Sequence, residues 1–398
     1  MITFEALREK NSMKKIVSVW TIVGLVALFG LGCNEEVEIN APYKSTTIVF
    51  GLIDPDPNND GVFDALDTQW VRITRTFLGD GNNNDYAAIR DSSEYKESDF
   101  VSKVVQQIDA DGDVVATFDL IAKTVANKSV NGIFYGPEQT LYYFIQPDGI
   151  KTQDKYRIAL DFAHKEDISA TTEIVRNEEI NFLTPQVDGS ITLAQSSGGN
   201  ISYPTTSSIK WNAADNVTSY SATLRFYYTE FLYETTEWTG TPIISERYID
   251  FPLGSIDAEG TESNITLRFN ARSFFTYLQG KIEANPLIKR VIGEPNTAET
   301  RPFDLLLSMG SSQLSTYIEV NSPVSGVVQE RPVHTNINNG LGLWASRSTK
   351  RLNDLKLTTT GAGGAPLIGN LVALVTSEYT VDLNFCDENS SATEYTCD

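Results

Sequence analysis

Histidine and cysteine are scarce in this sequence: two of the first and three of the second in 398 residues. Nucleophile–histidine catalysis could draw only on His164 and His334, and neither an H-E-x-x-H nor a G-x-S-x-G pattern occurs. The glycine cluster GAGGAP (361–366) lacks the third glycine of a dinucleotide fingerprint and follows no βαβ pattern. Cations are short as well. Lys and Arg number 31 against 52 Asp and Glu, a net charge of −21. A chain this acidic repels nucleic acid and anionic membrane surfaces, so no nucleic-acid partner is expected. No period of 20 to 50 residues repeats, which excludes solenoids and propellers. What the chain has in plenty is apolar residues, at 41%, and aromatics, at 10%, so it is not an acidic disordered polymer. Its length suggests two or three domains.

The one long apolar run lies near the N-terminus. Met13-Lys14-Lys15 supplies a positive start, IVSVWTIVGLVALFGLG follows, and Cys33 closes the run. It is short for a spanning helix of about 20 residues and ends in small residues at a cysteine. Residues 1–32 therefore read as a signal peptide with its true start at Met13. FGLGC resembles a lipobox, with Gly32 fitting and Gly30 standing where Leu is usual. The expectation is cleavage before Cys33, acylation of that residue, and anchoring in a membrane, each buried methylene adding about 0.8 kcal/mol. Residues 33–44 would form a tether. Glu35, Glu36 and Glu38 resemble the acidic export signal of surface-exposed Bacteroidota lipoproteins; the plainer reading is a solvated spacer. An exported chain meets an oxidising compartment, so Cys386 and Cys397 read as a disulfide.

The rest reads as strands. Segments 45–53, 69–77, 100–108, 113–121, 140–146, 155–162 and 169–180 are rich in β-branched and aromatic residues and are separated by turn signals such as DADGD (109–113). Seven short strands in residues 45–182 predict an immunoglobulin-like sandwich. FLTPQVDGS (182–190) reads as a linker, broken by Pro185 and Gly189. Residues 190–398 open with SSIKWNAADNVTSYSATLRFYY, which resembles a fibronectin-like sandwich with Trp211 in its core. One helix is predicted after Asn270 as N-cap, because Phe274, Phe275, Leu278 and Ile282 recur at helical spacing, with Pro286 as its limit. STYIEV (315–320) and residues 352–358 and 369–385 read as further strands. The predicted fold class is all-β: two immunoglobulin/fibronectin-like β-sandwich domains with one short helix in the second.

DPNNDGVFDALD (56–67) has the spacing of a calcium loop. Asp56, Asn58 and Asp60 hold positions 1, 3 and 5. Gly61 makes the turn, Val62 offers a carbonyl, and Asp64 and Asp67 take positions 9 and 12. Against it stand an Asp where Glu is usual and flanking strands in place of helices. A solvated turn explains the same residues. Calcium here would be structural and weakly held, with a dissociation constant of about 10⁻⁴ to 10⁻³ M.

Taken together, the acidic residues after Cys33, IVFGLI, VRITRTF, YRIALDF, SATTEI, SYSATLRFYY and NINNGLGLWASRS resemble an uncharacterised family of two-domain Bacteroidota outer-membrane lipoproteins, often found beside TonB-dependent transporters. The resemblance implies a cell-surface-exposed, outer-membrane location and a non-enzymatic accessory role to an outer-membrane barrel. It carries over no catalytic residues. A surface adhesin or glycan-binding module is the first alternative, with Tyr233, Trp238 or Trp344 stacking on sugar rings, unless those rings are core. A carboxylate-based hydrolase is the second; it would need two acids at fixed separation in one cleft.

Overall fold

Alternating apolar and polar residues give most strands of the first half one dry face. The computed structural model describes residues 45–57, 67–77, 83–258, 260, 262–322, 334–360 and 366–397. Its first half contains β1 (Thr47–Ile53), β2 (Gln69–Arg75), the short helices α1 (Asn83–Ala87) and α2 (Arg90–Ser93), and β3 (Phe100–Ile108). Then come β4 (Val114–Asp119), β5 (Ile121–Ala126), β6 (Glu138–Phe144), β7 (Lys155–Phe162) and β8 (Ile168–Glu173). One sheet runs β1-β2-β6-β5 and the other β4-β3-β7-β8. Val49, Ile53, Val71, Ile73, Tyr142 and Phe144 face Val105, Ile158, Leu160 and Phe162 across a shared core. The segment expected as one strand over 113–121 switches sheets at the buried Leu120, so β4 and β5 belong to opposite layers. The strand expected to reach residue 180 stops at Glu173.

The second half contains β9 (Phe182–Thr184), the hairpin β10 (Gln195–Ser197) and β11 (Asn200–Ser202), β12 (Ser207–Asn212), β13 (Ser219–Leu232), β14 (Ile243–Asp257) and β15 (Asn264–Phe269). Next are α3 (Arg272–Lys281), β16 (Ile288–Ile292), β17 (Phe303–Gly310), α4 (Ser312–Asn321) and β18 (Gly340–Leu355). The short pair β19 (Thr359–Thr360) and β20 (Pro366–Leu367), then α5 (Gly369–Thr376) and β21 (Phe385–Cys386), end the chain. β13 is the spine. β14 pairs along its whole length, while β17 and then β16 share its other edge. The β15-β12-β9 sheet packs over it, burying Trp211 completely. The all-β, sandwich-type architecture expected from the sequence is the one observed. The expected helix forms as α3. Asn270 accepts from the Arg272 N–H (3.0 Å), and Phe274, Phe275, Leu278 and Ile282 are all buried.

Two segments read as strands are helices. STYIEV lies in α4, where Leu314, Tyr317 and Ile318 fall on one face at i, i+3, i+4 spacing, and residues 369–376 form α5. Local β-branched composition is overridden by packing in both cases. The segment read as a linker is itself built into the second sandwich. Phe182–Thr184 pairs with β12. The buried Asn370 amide accepts from the Leu193 and Ala194 N–H groups and donates to the Ile191 and Leu357 carbonyls.

β18 belongs to both halves. Its residues 340–346 pair in parallel with β1, and 347–355 pair antiparallel with β17. Trp344, 1% exposed, therefore fills the first core from the far end of the chain, donating its indole N–H to the Tyr156 carbonyl (2.9 Å). Gly342 permits this approach: at φ +108°, a Cβ there would lie 2.0 Å from the Val49 carbonyl oxygen. At the crossover sits Ser346, fully buried. Its Oγ donates to the Ile53 carbonyl (3.0 Å) and accepts from the Val175 N–H (3.1 Å), and its own N–H donates to Ser311 Oγ (3.2 Å).

Candidate functional site

The β1–β2 connection starts at a polar neck. One Gln69 side-chain nitrogen donates to the carbonyls of Asp54 (2.7 Å) and Asp67 (3.1 Å), while Gln69 Oε1 accepts from the Asp54 N–H (2.9 Å). The two ends of the predicted calcium loop thus meet. Asp54, Asp56 and Asp67 are all buried there. Asp54 Oδ1 accepts from the Asp56 N–H (3.2 Å), and the Arg347 guanidinium lies 3.6 Å from its carboxylate. Burial outweighs both and pushes the Asp54 carboxyl up to about 6. Of the predicted calcium ligands, Asp56 and Asp67 are placed at this neck, whereas Asn58, Asp60, Val62 and Asp64 lie outside the described residues. Among the described residues, no three acidic, histidine or cysteine side chains converge as a metal-holding group.

Beside the neck is an apolar groove. The pleat that turns Val49 and Ile53 inward turns Ile48, Phe50 and Leu52 outward, and the same alternation puts Trp70 and Arg72 on the outer face of β2. Tyr143 lies opposite Trp70 on β6, with ring centroids 5.3 Å apart. α4 lies along this face, with Tyr317 edge-on to Phe50 at 6.0 Å. Between them opens a cavity of about 490 Å³, walled by Phe50, Trp70, Tyr317, Ile318 and Pro57, with Asp54 at its floor. Phe50 is 37% and Trp70 39% exposed. Lys123 stands over the Trp70 ring at 5.6 Å. Asp54 is the sole acid among the described residues lining the groove.

The aromatics singled out in the sequence lie elsewhere. Trp344 is core. Tyr233 and Trp238 are half-buried in the second sandwich, where Trp238 donates to the Pro286 carbonyl (2.9 Å) and carries Lys289 above its ring. Trp70, Phe50 and Tyr143 were missed as a set; the signal was there in a Trp placed at an outward register of an otherwise alternating strand. His164 is exposed and His334 half-buried. Cys386 and Cys397 form the expected disulfide, with Cα atoms 5.0 Å apart. Cys33 and the acidic residues after it lie outside the described residues.

No family model and no curated protein matches this chain.

Proposed function

We propose that this is an exported, lipid-anchored, non-enzymatic binding protein of the outer-membrane surface, working as an accessory subunit of an outer-membrane barrel such as a TonB-dependent transporter. The observation that carries the reading is the outer face of the first sandwich. There an aromatic groove stays open on a rigid sheet, in a chain whose N-terminus has the charge, apolar run and cysteine of a lipoprotein signal. Exposed apolar patches rimmed by polar groups mark interaction sites. Anchoring would act through Cys33, the 33–44 tether giving the sandwiches reach. Calcium held by Asp56, Asn58, Asp60, Val62, Asp64 and Asp67 would stiffen the loop beside the groove, a structural role. Affinity purification of the lipidated protein from solubilised outer membranes is the test. Recovery of a barrel in stoichiometric amount supports the accessory role, and recovery of the lipoprotein alone rejects it. Cys33→Ala should release the protein from membranes into the soluble fraction; continued membrane fractionation would reject the anchor.

A second reading, a glycan-binding module, is favoured by one specific observation: Trp70 presents its ring at the sheet surface beside Tyr143. Sugar C–H faces pack on such rings. Trp70→Ala would abolish binding on a glycan array if the platform receives sugars.

A further inference from the structure

A second concavity opens on the same outer face, on the far side of Arg72 from the groove. It holds about 630 Å³, within the range of small-molecule sites, roughly 300–1,000 Å³. Its floor is the outer face of β1 and β2, and its opposite wall is the 128–135 segment between β5 and β6. That wall is pinned. The Lys128 N–H donates to the Pro137 carbonyl (3.0 Å), the Tyr135 N–H donates to the Ala87 carbonyl (2.9 Å), and Lys128 Nζ reaches the Tyr135 carbonyl (3.4 Å).

Its charge is the reverse of the chain's. Among the described residues lining it, Arg72, Arg75 and Lys128 are cations and none is Asp or Glu, although acids outnumber bases 52 to 31 in the sequence. The neighbouring acids are engaged: Glu94 with Arg90 at 2.8 Å and Lys128 at 3.7 Å, and Asp91 with Lys96 at 2.7 Å. Arg75 donates to the Asp91 backbone carbonyl and lies over the Tyr95 ring. Arg72 is exposed, and no ion pair or hydrogen bond of its guanidinium occurs among the described residues. Three positions apart on β2, the two arginines leave opposite faces of the strand, so Arg72 is the exposed outer-face guanidinium, a group that suits the planar fork of a carboxylate or the oxygens of a sulfate. Phe134, 65% exposed, and the half-buried Tyr135 supply flat apolar walls, while Thr74, Gln139 and Asn131 offer neutral hydrogen-bonding groups. An anion receptor, ring-sized flat walls and scattered amides and hydroxyls together match a sugar ring bearing an acid.

We infer that this cleft binds an acidic saccharide, its carboxylate or sulfate on Arg72 and its ring against Phe134 and Tyr135. The inference names the ligand class of the binding role proposed above and rests on that role being ligand capture at the surface.

Titration calorimetry of the full-length protein in detergent tests it. The probes are tri-galacturonic acid and a chondroitin sulfate tetrasaccharide, with cellotetraose as the neutral control. The expected result is binding of one or both acidic probes and none of the neutral one. Affinity should fall as salt shortens the Debye length from about 10 Å at 0.1 M to about 3 Å at 1 M. Arg72→Glu should weaken binding by about tenfold or more, Arg72→Lys should retain part of it, and the melting temperature should change little, since Arg72 is exposed. Equal binding of cellotetraose, no heat from any probe at millimolar concentration, or an Arg72→Glu variant that binds as well as the parent overturns the assignment. A barrel recovered without acidic-glycan binding rejects this ligand alone; acidic-glycan binding without a barrel rejects the partnership alone.

Discussion

The second sandwich buries about twice as many apolar residues as the first and closes its core with α3 and α5, while each leaves large apolar side chains open to solvent: Phe50, Trp70, Ile121 and Phe134 in the first, Ile243, Ile244 and Tyr248 in the second. In the second, even a guanidinium is enclosed: Arg290, 2% exposed, donates to the carbonyls of Leu383 (2.7 Å) and Glu283 (3.1 Å) and to Glu230 Oε1 (3.0 Å). Each of its three nitrogens thus has an acceptor and its charge a carboxylate partner, the conditions under which a buried charge is tolerated. The first half buries polar side chains too, Gln69, Asp54, Asp56 and Asp67 at the neck and Glu94 and Gln107 elsewhere. The two halves thus differ in the size of the core and are joined by one strand, and the comparison predicts where substitutions hurt.

The largest effect is expected at the join. Trp344→Ala empties the first core from β18, at a cost of about 3–5 kcal/mol. Because β18 serves both halves, urea unfolding should still show one transition, shifted to lower denaturant. Two separated transitions would break the picture of a shared strand. Next comes the disulfide. Cys386→Ser removes a short closed loop contributing about 3 kcal/mol, and the loss should be confined to the second sandwich. Hydrogen exchange should quicken around 285–292 and 383–397 and stay unchanged in β3 and β7; faster exchange in β3 would blur the distinction.

The smallest effect concerns Asp54. Its carboxyl titrates near 6 in the fold against 3.8 in the unfolded chain. Between those values the native state holds a proton that the unfolded state releases, so this group's contribution to stability is full below pH 3.8 and lost as pH rises through about 6. In EGTA, Asp54→Asn should flatten that slope and stabilise the protein by about 3 kcal/mol at neutral pH. A variant less stable at pH 7 would mean that the neck depends on the charge.

Much of the architecture was legible. β-Branched and aromatic runs bounded by turn signals marked β3 and β7 to the residue, and helical spacing of four apolar side chains marked α3. Local patterning missed what long-range contacts decide. α4 reads as a strand because Thr316, Ile318 and Val320 are β-branched; its helical face is visible only once β1 and β18 offer Leu314 and Tyr317 something to pack on. The sharing of β18 is equally silent, since NGLGLWAS carries no mark of pairing with a strand so distant in sequence. At the neck, the Asp56–Asp67 spacing marked a loop whose two ends the fold buries together, while the groove beside it depended on strands and a helix whose neighbours only the fold supplies. The cationic cleft gathers Arg72, Arg75 and Lys128 across a long sequence gap and left no motif.

The crossover at Ser346 has a temporal side. A chain that is synthesised or moved across a membrane N-terminus first presents β1 long before residues 340–346 follow. During that interval one edge of β1 has unpaired backbone groups, and the first core lacks the indole of Trp344. Such an edge is a template for any passing strand. A chain ending near residue 190 would be held permanently at that stage, and should need a chaperone or aggregate where the complete chain does not.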